Sequence, residues 1–314
     1  MTNYIALPDN AVRQVIDSTT VFTEFCRVKT QARPYAGSMY WKKEGVYEYL
    51  VKTRLRRRSQ ERLGRRSEPT ERIFAEFTSR KQALESRLAS LREALTEAER
   101  MNKALKAGRT PNLAVEVLQV LDGAGLAEHF TVVGTHALYA YETAASVRIA
   151  QGALATLDVD LLWDARKRVQ FMTDLERLDA SVLSVLKRAD PTFERKQGHN
   201  ETAINARGFE VDFLRCQAVE GDPHPFRFSQ DEGDLWPVQA VRASVLTTAP
   251  RFEQAVISVR GSMALMRTIA PSAFVEFKRW MAEQAPQREP AKRRRDCLQA
   301  DIVQELLDCK LLVA

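Results

Sequence analysis

The sequence predicts a protein of the α+β class, with short strands in the middle of the chain and helices on both sides. Three observations support this prediction. Short β-type runs occur at FTVV, TLDVDLLW and FEVDFL. A long segment of helical periodicity, residues 68–107, precedes them, and two amphipathic helical segments follow them.

The length of 314 residues allows two or three domains with a real core. We expect an N-terminal part, residues 1–110, with a helix, a basic hairpin and the long helix. Residues 111–235 would form the core, and residues 236–314 a helical domain. No run approaches the roughly 18 apolar residues of a membrane span, so we expect no membrane contact.

The four cysteines are scattered and form no CxxC pair, and the N-terminus lacks the pattern of a secretion signal. Both features are typical of a cytoplasmic protein with reduced thiols. We therefore expect a cytoplasmic location and neither a disulfide nor a structural zinc site.

The N-terminal part begins with a predicted helix over residues 10–31, and a hairpin with its turn at Glu44-Gly45 follows. Further along, residues 68–107 repeat apolar residues every three, four or seven positions. Two structures fit this apolar stripe equally: a helical hairpin packed on its own domain, or a dimeric coiled coil.

Residues 52–66 hold eight cations against the single anion Glu61, a local net charge of +7. Such a segment is typical of a site for a polyanion, although a solvated basic loop would have the same composition. The candidate nucleic-acid-binding residues are Lys52, Arg54, Arg56, Arg57 and Arg58. Nearby aromatic residues would either stack on bases or pack the hairpin; these are Tyr40, Trp41, Tyr47 and Tyr49.

The core should begin with a helix over residues 114–124 and the buried strand FTVV, followed by a tight turn at Gly134-Thr135 and a helix from His136. A glycine at such a turn lets a phosphate approach backbone N–H groups at a helix N-terminus. Many strand-to-helix turns carry glycine for backbone reasons alone. His136 we expect to be a packing residue.

TLDVDLLW places Asp158 and Asp160 two residues apart, so both carboxylates point to one face of a strand. Two anions on an otherwise apolar strand either face water at a strand end or share a hard cation such as Mg²⁺. Asp212 lies in the middle of a second strand, FEVDFL, after a turn at Arg207-Gly208. If all three aspartates meet, they form a metal site.

The region from about residue 236 is predicted to be helical, with an amphipathic helix over residues 270–284. A loop over residues 285–296 and a last helix that opens at Asp296 would follow. Lys278 lies on the amphipathic helix. It is either a cation for a triphosphate or a surface lysine with a buried stem.

The motifs VVGTHAL (132–138), TLDVDLL (156–162) and FEVDFL (209–214) together resemble the polymerase β-like nucleotidyltransferase superfamily. The helix with Lys278, the basic loop and Asp296 look like the abortive-infection type II toxin branch. More closely, the chain resembles a bacterial nucleotidyltransferase-fold family of unassigned substrate. The resemblance implies a small mixed sheet with flanking helices.

The resemblance also implies a chemistry, namely transfer of a nucleoside monophosphate from an NTP to a hydroxyl with release of pyrophosphate. Two Mg²⁺ ions, or Mn²⁺ in their place, would lie between the triphosphate and three carboxylates, with Asp158 and Asp160 on both ions and Asp212 on the ion at the attacking hydroxyl. Phosphate-binding candidates are Gly134, Thr135 and Lys278.

Several acceptors fit this chemistry: an RNA 3′ end such as that of tRNA, a protein side chain or a small molecule. By resemblance the protein would be a toxin or defence effector with an antitoxin as partner. The alternative is a non-catalytic module that binds nucleotides or nucleic acid on the same fold.

Overall fold

The computed structural model describes residues 3–53, 60–218, 223, 225–285 and 288–313. The α+β class is confirmed. The chain divides into two compact units. We call residues 1–15 with 101–314 the core unit and residues 16–100 the hairpin unit. The predicted boundaries near residues 110 and 235 stay a prediction.

The described strands and helices are numbered in chain order. The strands are β1 (Tyr4–Ala6), β2 (Met39–Glu44), β3 (Tyr47–Thr53), β4 (Gln60–Arg65), β5 (Phe130–Val133), β6 (Val147–Ile149), β7 (Asp158–Trp163), β8 (Glu194–Arg195), β9 (Thr202–Ile204), β10 (Glu210–Arg215), β11 (Val238–Gln239), β12 (Arg251–Ile257) and β13 (Met263–Ile269). The α-helices are α1 (Asp9–Ala32), α2 (Glu68–Ala104), α3 (Asn112–Ala124), α4 (Ala137–Ala144), α5 (Gln151–Leu154), α6 (Arg168–Leu178), α7 (Val182–Leu186), α8 (Ala243–Thr248), α9 (Pro271–Glu283) and α10 (Pro290–Asp308).

The hairpin unit contains an antiparallel sheet in the order β2-β3-β4 and most of the two long helices, namely residues 16–32 of α1 and 68–100 of α2. The turn between β2 and β3 follows Glu44, as predicted. Leu88 and Leu91 of α2 form an apolar cluster with Val28 of α1. The apolar stripe of α2 is therefore used within its own unit, as in a helical hairpin.

The core unit is built on a mixed sheet in the order β5-β7-β10-β9-β8, with β11 beside the end of β10. β7 runs antiparallel to β5 and parallel to β10, and β10 runs antiparallel to β9. The three strands predicted from FTVV, TLDVDLLW and FEVDFL are thus adjacent. Side chains alternate between the two faces of each strand.

One face of this sheet is covered by an aromatic cluster. Phe130, Trp163 and Phe213 point from three adjacent strands toward Phe171 of α6 and Phe228, and all five are nearly fully buried. Their ring centroids lie 5.4–5.8 Å apart at several edge-on contacts, an arrangement that aromatic rings favour. The opposite face is therefore left for the aspartates.

Three element predictions are wrong. Residues 251–269, expected to be helical, form the antiparallel hairpin β12-β13. The last helix begins at Pro290 rather than at Asp296, because proline fits the first turn of a helix. The helical stretch over residues 166–188 is broken where Asp179 takes the left-handed conformation, with φ of 49°.

The hairpin β12-β13 supports the sheet beside β5. The hydroxyl of Thr268 donates to the carbonyl of Val132 over 2.7 Å, and the Tyr141 hydroxyl of α4 donates to the carbonyl of Ile269 over 2.8 Å. Both hydrogen bonds are buried. One involves Val132, just before the predicted Gly134-Thr135 turn, and the other involves Tyr141, which follows the turn in the chain. Within the described part of the chain, no helix has the length and apolar character needed to cross a membrane. All four cysteines lie among the described residues, and no disulfide links them.

Candidate active site

The register of the sheet brings the three predicted aspartates together. Asp160 and Asp212 are direct neighbours on the parallel strands β7 and β10, and Asp158 precedes Asp160 by two positions on the same face. Ligand oxygens of all three lie within 4.8 Å of one another. Among the described residues, this is the group of carboxylate, imidazole and thiol side chains with a geometry suited to a metal ion.

Burial and repulsion between carboxylates oppose the ionisation of Asp160 and Asp212. Burial, and then the charges of Asp158 and Asp212, raise the pKa of Asp160 to about 7. Burial also raises the pKa of Asp212, with Asp158 adding to the effect and the Thr202 hydroxyl opposing it. Three half-buried oxygen ligands that repel one another fit a hard divalent cation.

Strand β9 supplies a hydroxyl that holds Asp212 in place. Thr202 lies opposite Asp212 in the β9–β10 register, and its hydroxyl donates to Oδ1 of Asp212 over 2.5 Å. Glu210, on the same face as Asp212, instead accepts from Nζ of Lys196 over 2.6 Å. Glu210 is thus the register neighbour of Asp158, but its charge is paired with that of a lysine.

Gly134 lies directly against the acidic group. It follows Val133, whose register partner on β7 is Asp160, and its φ of +68° is one that other residues rarely adopt. A Cβ at this position would lie 2.2 Å from Oδ2 of Asp160. The glycine is thus required both by the backbone conformation and by the approach of the carboxylate, and it opens the short helical turn, residues 134–136, before α4.

Thr135 and His136 are buried. The Thr135 hydroxyl accepts from Nε2 of Gln299 on α10 over 3.1 Å, and the same nitrogen donates to the carbonyl of Ala153 over 2.6 Å. His136 packs against the rings of Tyr139 and Phe209, and burial lowers its pKa to about 4, so the imidazole is neutral near pH 7. Packing, the expected role of His136, is what these contacts show.

Lys278 is part of a buried charge cluster rather than a surface lysine. Its Nζ donates to Oδ1 of Asp296 over 2.8 Å, and Arg288 donates to Oδ2 of Asp296 over 2.7 Å. Burial lowers the pKa of Lys278, and Asp296 opposes that shift. The positive charges of Lys278 and Arg288 both act on Asp160 and lower its pKa. The cluster therefore belongs to the electrostatic surroundings of the acidic group.

Of the predicted nucleic-acid-binding residues, Lys52 is described, and it lies in the hairpin unit. Lys52, on β3, holds its Nζ 5.3 Å from the centroid of the Phe77 ring, within the hairpin unit. The remaining four, Arg54, Arg56, Arg57 and Arg58, lie outside the described residues.

Sequence reasoning missed Thr202, Arg288 and Gln299. A threonine in a strand is ordinary, and only the pairing of β9 with β10 places it on Asp212. Gln299 has a weak signal, since it is a polar residue on the apolar side of the last helix and is fully buried. Arg288 lies in the segment that was expected to be a loop.

A mixed sheet that presents three carboxylates beside a glycine turn is the arrangement expected from the resemblance to nucleotidyltransferases. The profile of the family described as Nucleotidyltransferase matches residues 112–312. This match spans more than half of the chain, and the chain therefore belongs to this family: it is a nucleotidyltransferase, whose family implies an NTP as substrate. No curated protein and no solved structure gives a significant match.

Proposed function

We propose that the chain transfers a nucleoside monophosphate from an NTP to a hydroxyl, with Asp158, Asp160 and Asp212 holding two Mg²⁺ or Mn²⁺ ions. The observation that carries this proposal is the convergence of the three carboxylates within 4.8 Å at a register fixed by β7 and β10. When bound, the ions supply charge neutralisation at the transferred phosphate and lower the pKa of the attacking hydroxyl.

The chain's own residues position the triphosphate. Backbone N–H groups at Gly134 and Thr135 bind phosphate oxygens, because the start of a helical turn carries unpaired donors and positive potential. The Thr135 hydroxyl is already engaged by Gln299. Lys278 and Arg288 provide positive charge; the Arg288 side chain is 23% exposed and that of Lys278 only 5%, so Arg288 is the more accessible of the two.

A transfer assay tests this function. Purified protein is incubated with α-labelled NTPs, Mg²⁺ and either total RNA or cell lysate. We expect Asp158→Ala/Asp160→Ala to lower label transfer by about 10³-fold or more, since both positions act on the charge that develops at phosphate. Asp179→Asn is the matched control, because this carboxylate ends α6 in a left-handed conformation that asparagine tolerates. Wild type that transfers no more label than the double variant would refute the proposal.

The acceptor is an RNA 3′ end such as that of tRNA, a protein or a small molecule, and the labelled product in this assay identifies it. A role as a toxin with an antitoxin partner rests on the resemblance alone. Expression in a bacterial host tests it: growth arrest that Asp160→Ala abolishes supports the toxin role, and harmless expression of active enzyme contradicts it.

A further inference from the structure

One face of the β2-β3-β4 sheet in the hairpin unit combines tyrosines with cations. Direct cross-strand neighbours share a face, and the registers pair Lys42 with Tyr49 and Tyr49 with Arg65. Tyr47 and Arg62 lie on the same side. We call this surface the aromatic–basic face; its residues are Lys42, Tyr47, Tyr49, Arg62 and Arg65.

The arginines on this face lie over the tyrosine rings. The guanidinium carbon of Arg62 is 3.2 Å from the ring centroid of Tyr49, and that of Arg65 is 4.1 Å from the centroid of Tyr47. Nε of Arg65 also donates to the Tyr49 hydroxyl over 3.2 Å. The cation–π contacts place the guanidinium groups in fixed positions without neutralising them.

The face is open to solvent and carries excess positive charge. Tyr47 is 49% exposed, and the side chains of Lys42 and Arg62 are each 48% exposed. Glu44 pairs with Lys42 and Arg62, so one anion stands against three cations.

The opposite face of the same sheet differs, since Arg66 pairs there with both Glu48 and Glu71. On that face Trp41 contacts Phe74 and Lys52 lies over Phe77. This face therefore packs, through Trp41 and Lys52, against the unit's own helix α2. The two faces therefore have different roles, and the aromatic–basic face is the one available to a ligand.

We propose that the aromatic–basic face binds single-stranded nucleic acid. Unpaired bases stack on aromatic rings and on guanidinium planes, and the N–H groups of Arg62, Arg65 and Lys42 donate to phosphates. A duplex fits poorly because its bases are already stacked. That the bound strand is the acceptor of nucleotide transfer rests on the proposed function; the binding itself does not.

Fluorescence anisotropy on the full chain tests the inference, with labelled single-stranded RNA, single-stranded DNA and duplex DNA of about 16 nucleotides in about 50 mM salt. We expect either single strand to bind more tightly than the duplex. Arg62→Ala/Arg65→Ala should weaken binding roughly tenfold or more and lower the slope of log affinity against log salt by about 1.4, since each single-strand phosphate contact contributes about 0.7.

Tyr47→Ser/Tyr49→Ser should weaken binding by about tenfold or more, whereas Tyr47→Phe/Tyr49→Phe keeps the rings and stays within about twofold of wild type. The charge-matched control is Arg72→Ala/Arg80→Ala on α2, whose arginines form exposed pairs with Glu68 and Glu76. Circular dichroism verifies that each variant folds, and Arg62→Ala/Arg65→Ala tests the face even if the Ser variant does not fold.

The inference is overturned if wild type binds no single strand, prefers the duplex, or loses as much affinity with the α2 control. Equal competition by polyglutamate would also overturn it, because charge alone would then explain binding. Transfer activity without strand binding would remove this inference and leave the proposed function intact. Binding of a single strand without any nucleotide transfer would refute the proposed function and leave this inference intact.

Discussion

At the scale of single residues, the three aspartates of the acidic group, Asp158, Asp160 and Asp212, repel one another electrostatically. Three carboxylates meet on one face of the sheet, and the carboxylate of Asp160 leaves no room for a side chain at Gly134. Three carboxylates that repel one another lower the stability of the fold, so their arrangement indicates a ligand rather than a structural role. The stored repulsion is relieved by a proton or by a cation, so protons and divalent ions should compete for Asp160.

The pH dependence of stability follows from this competition. The pKa of Asp160 is raised to about 7, whereas an aspartate in the unfolded chain titrates near 4. A carboxyl with a raised folded pKa adds stability that is present below about pH 4 and lost as pH rises through about 7. Without divalent ions, we expect the titration of Asp160 to contribute a decrease of on the order of 2–3 kcal/mol in the free energy of unfolding between about pH 5 and pH 8. The lowered pKa of His136 acts in the opposite direction over part of this range, so the contribution of Asp160 is the difference between wild type and Asp160→Asn.

Urea unfolding across this pH range measures the effect. Asp160→Asn should remove most of the decrease, while Asp179→Asn, at the exposed end of α6, should retain it. Saturating Mg²⁺ should also diminish the decrease, because the ion binds the ionised carboxylates. An Asp160→Asn protein with the same pH dependence as wild type would show that another group titrates.

The acidic residues were predictable from the sequence because each breaks a local rule, a carboxylate inside an apolar strand. Their supporting partners break no such rule. Thr202 is an ordinary strand residue and Gln299 an ordinary helix residue, and each acquires its role only through pairing with distant segments. The charged residues of the site can thus be predicted from the sequence, whereas Thr202 and Gln299, which hold the site in place, cannot.

At the scale of elements, helices α9 and α10 are joined by the buried pair of Lys278 and Asp296. Asp296 also accepts from Arg288, which precedes α10. This arrangement ties the last two helices together and places two cations near Asp160. Removal of one partner from such a pair leaves an uncompensated buried charge, which costs more than loss of an exposed pair.

Asp296→Asn should therefore lower the free energy of unfolding by about 3–5 kcal/mol. The double variant Lys278→Met/Asp296→Asn should recover part of this loss, with a coupling of about 0.5–3 kcal/mol. Urea unfolding of the full double-mutant cycle gives both values. Lys292→Met is the control on the same helix, since its pair with Glu289 is exposed and should contribute less than about 1 kcal/mol. A coupling near zero would contradict the buried pair.

The element errors have local physical causes. Pro290 suggested a loop, but proline is well suited to the first turn of a helix, where its missing N–H has no partner to lose. Residues 251–269 carry the β-branched run at Val256 and Ile257 and a turn at Arg260-Gly261, which are signals of a hairpin.

At the scale of the whole molecule, the chain separates two activities that we assign to two compact units. The acidic group lies in the core unit and the aromatic–basic face in the hairpin unit. Ligands of the two sites should therefore stabilise different parts of the chain. Hydrogen exchange resolves such effects segment by segment.

A non-hydrolysable NTP with Mg²⁺ should slow hydrogen exchange over residues 130–137, 158–163 and 210–215, and leave residues 39–53 unchanged. At a ligand concentration of 100 Kd, binding adds about 2.7 kcal/mol of stability to the unit that holds the site. Single-stranded RNA should produce the complementary pattern. Exchange mass spectrometry provides the measurement, and protection by the nucleotide confined to the hairpin unit would contradict the assignment.

The glycine turn beside Asp160 depends on residues that are translated long after it. Its strand is held by Thr268, 136 residues beyond Val132, and Thr135 is held by Gln299, 164 residues further on. During translation, all three aspartates are therefore synthesised well before Thr268 and Gln299, which hold the turn beside them. The nascent chain should remain catalytically silent until the last helix emerges, and a message truncated before Gln299 should yield an inert product.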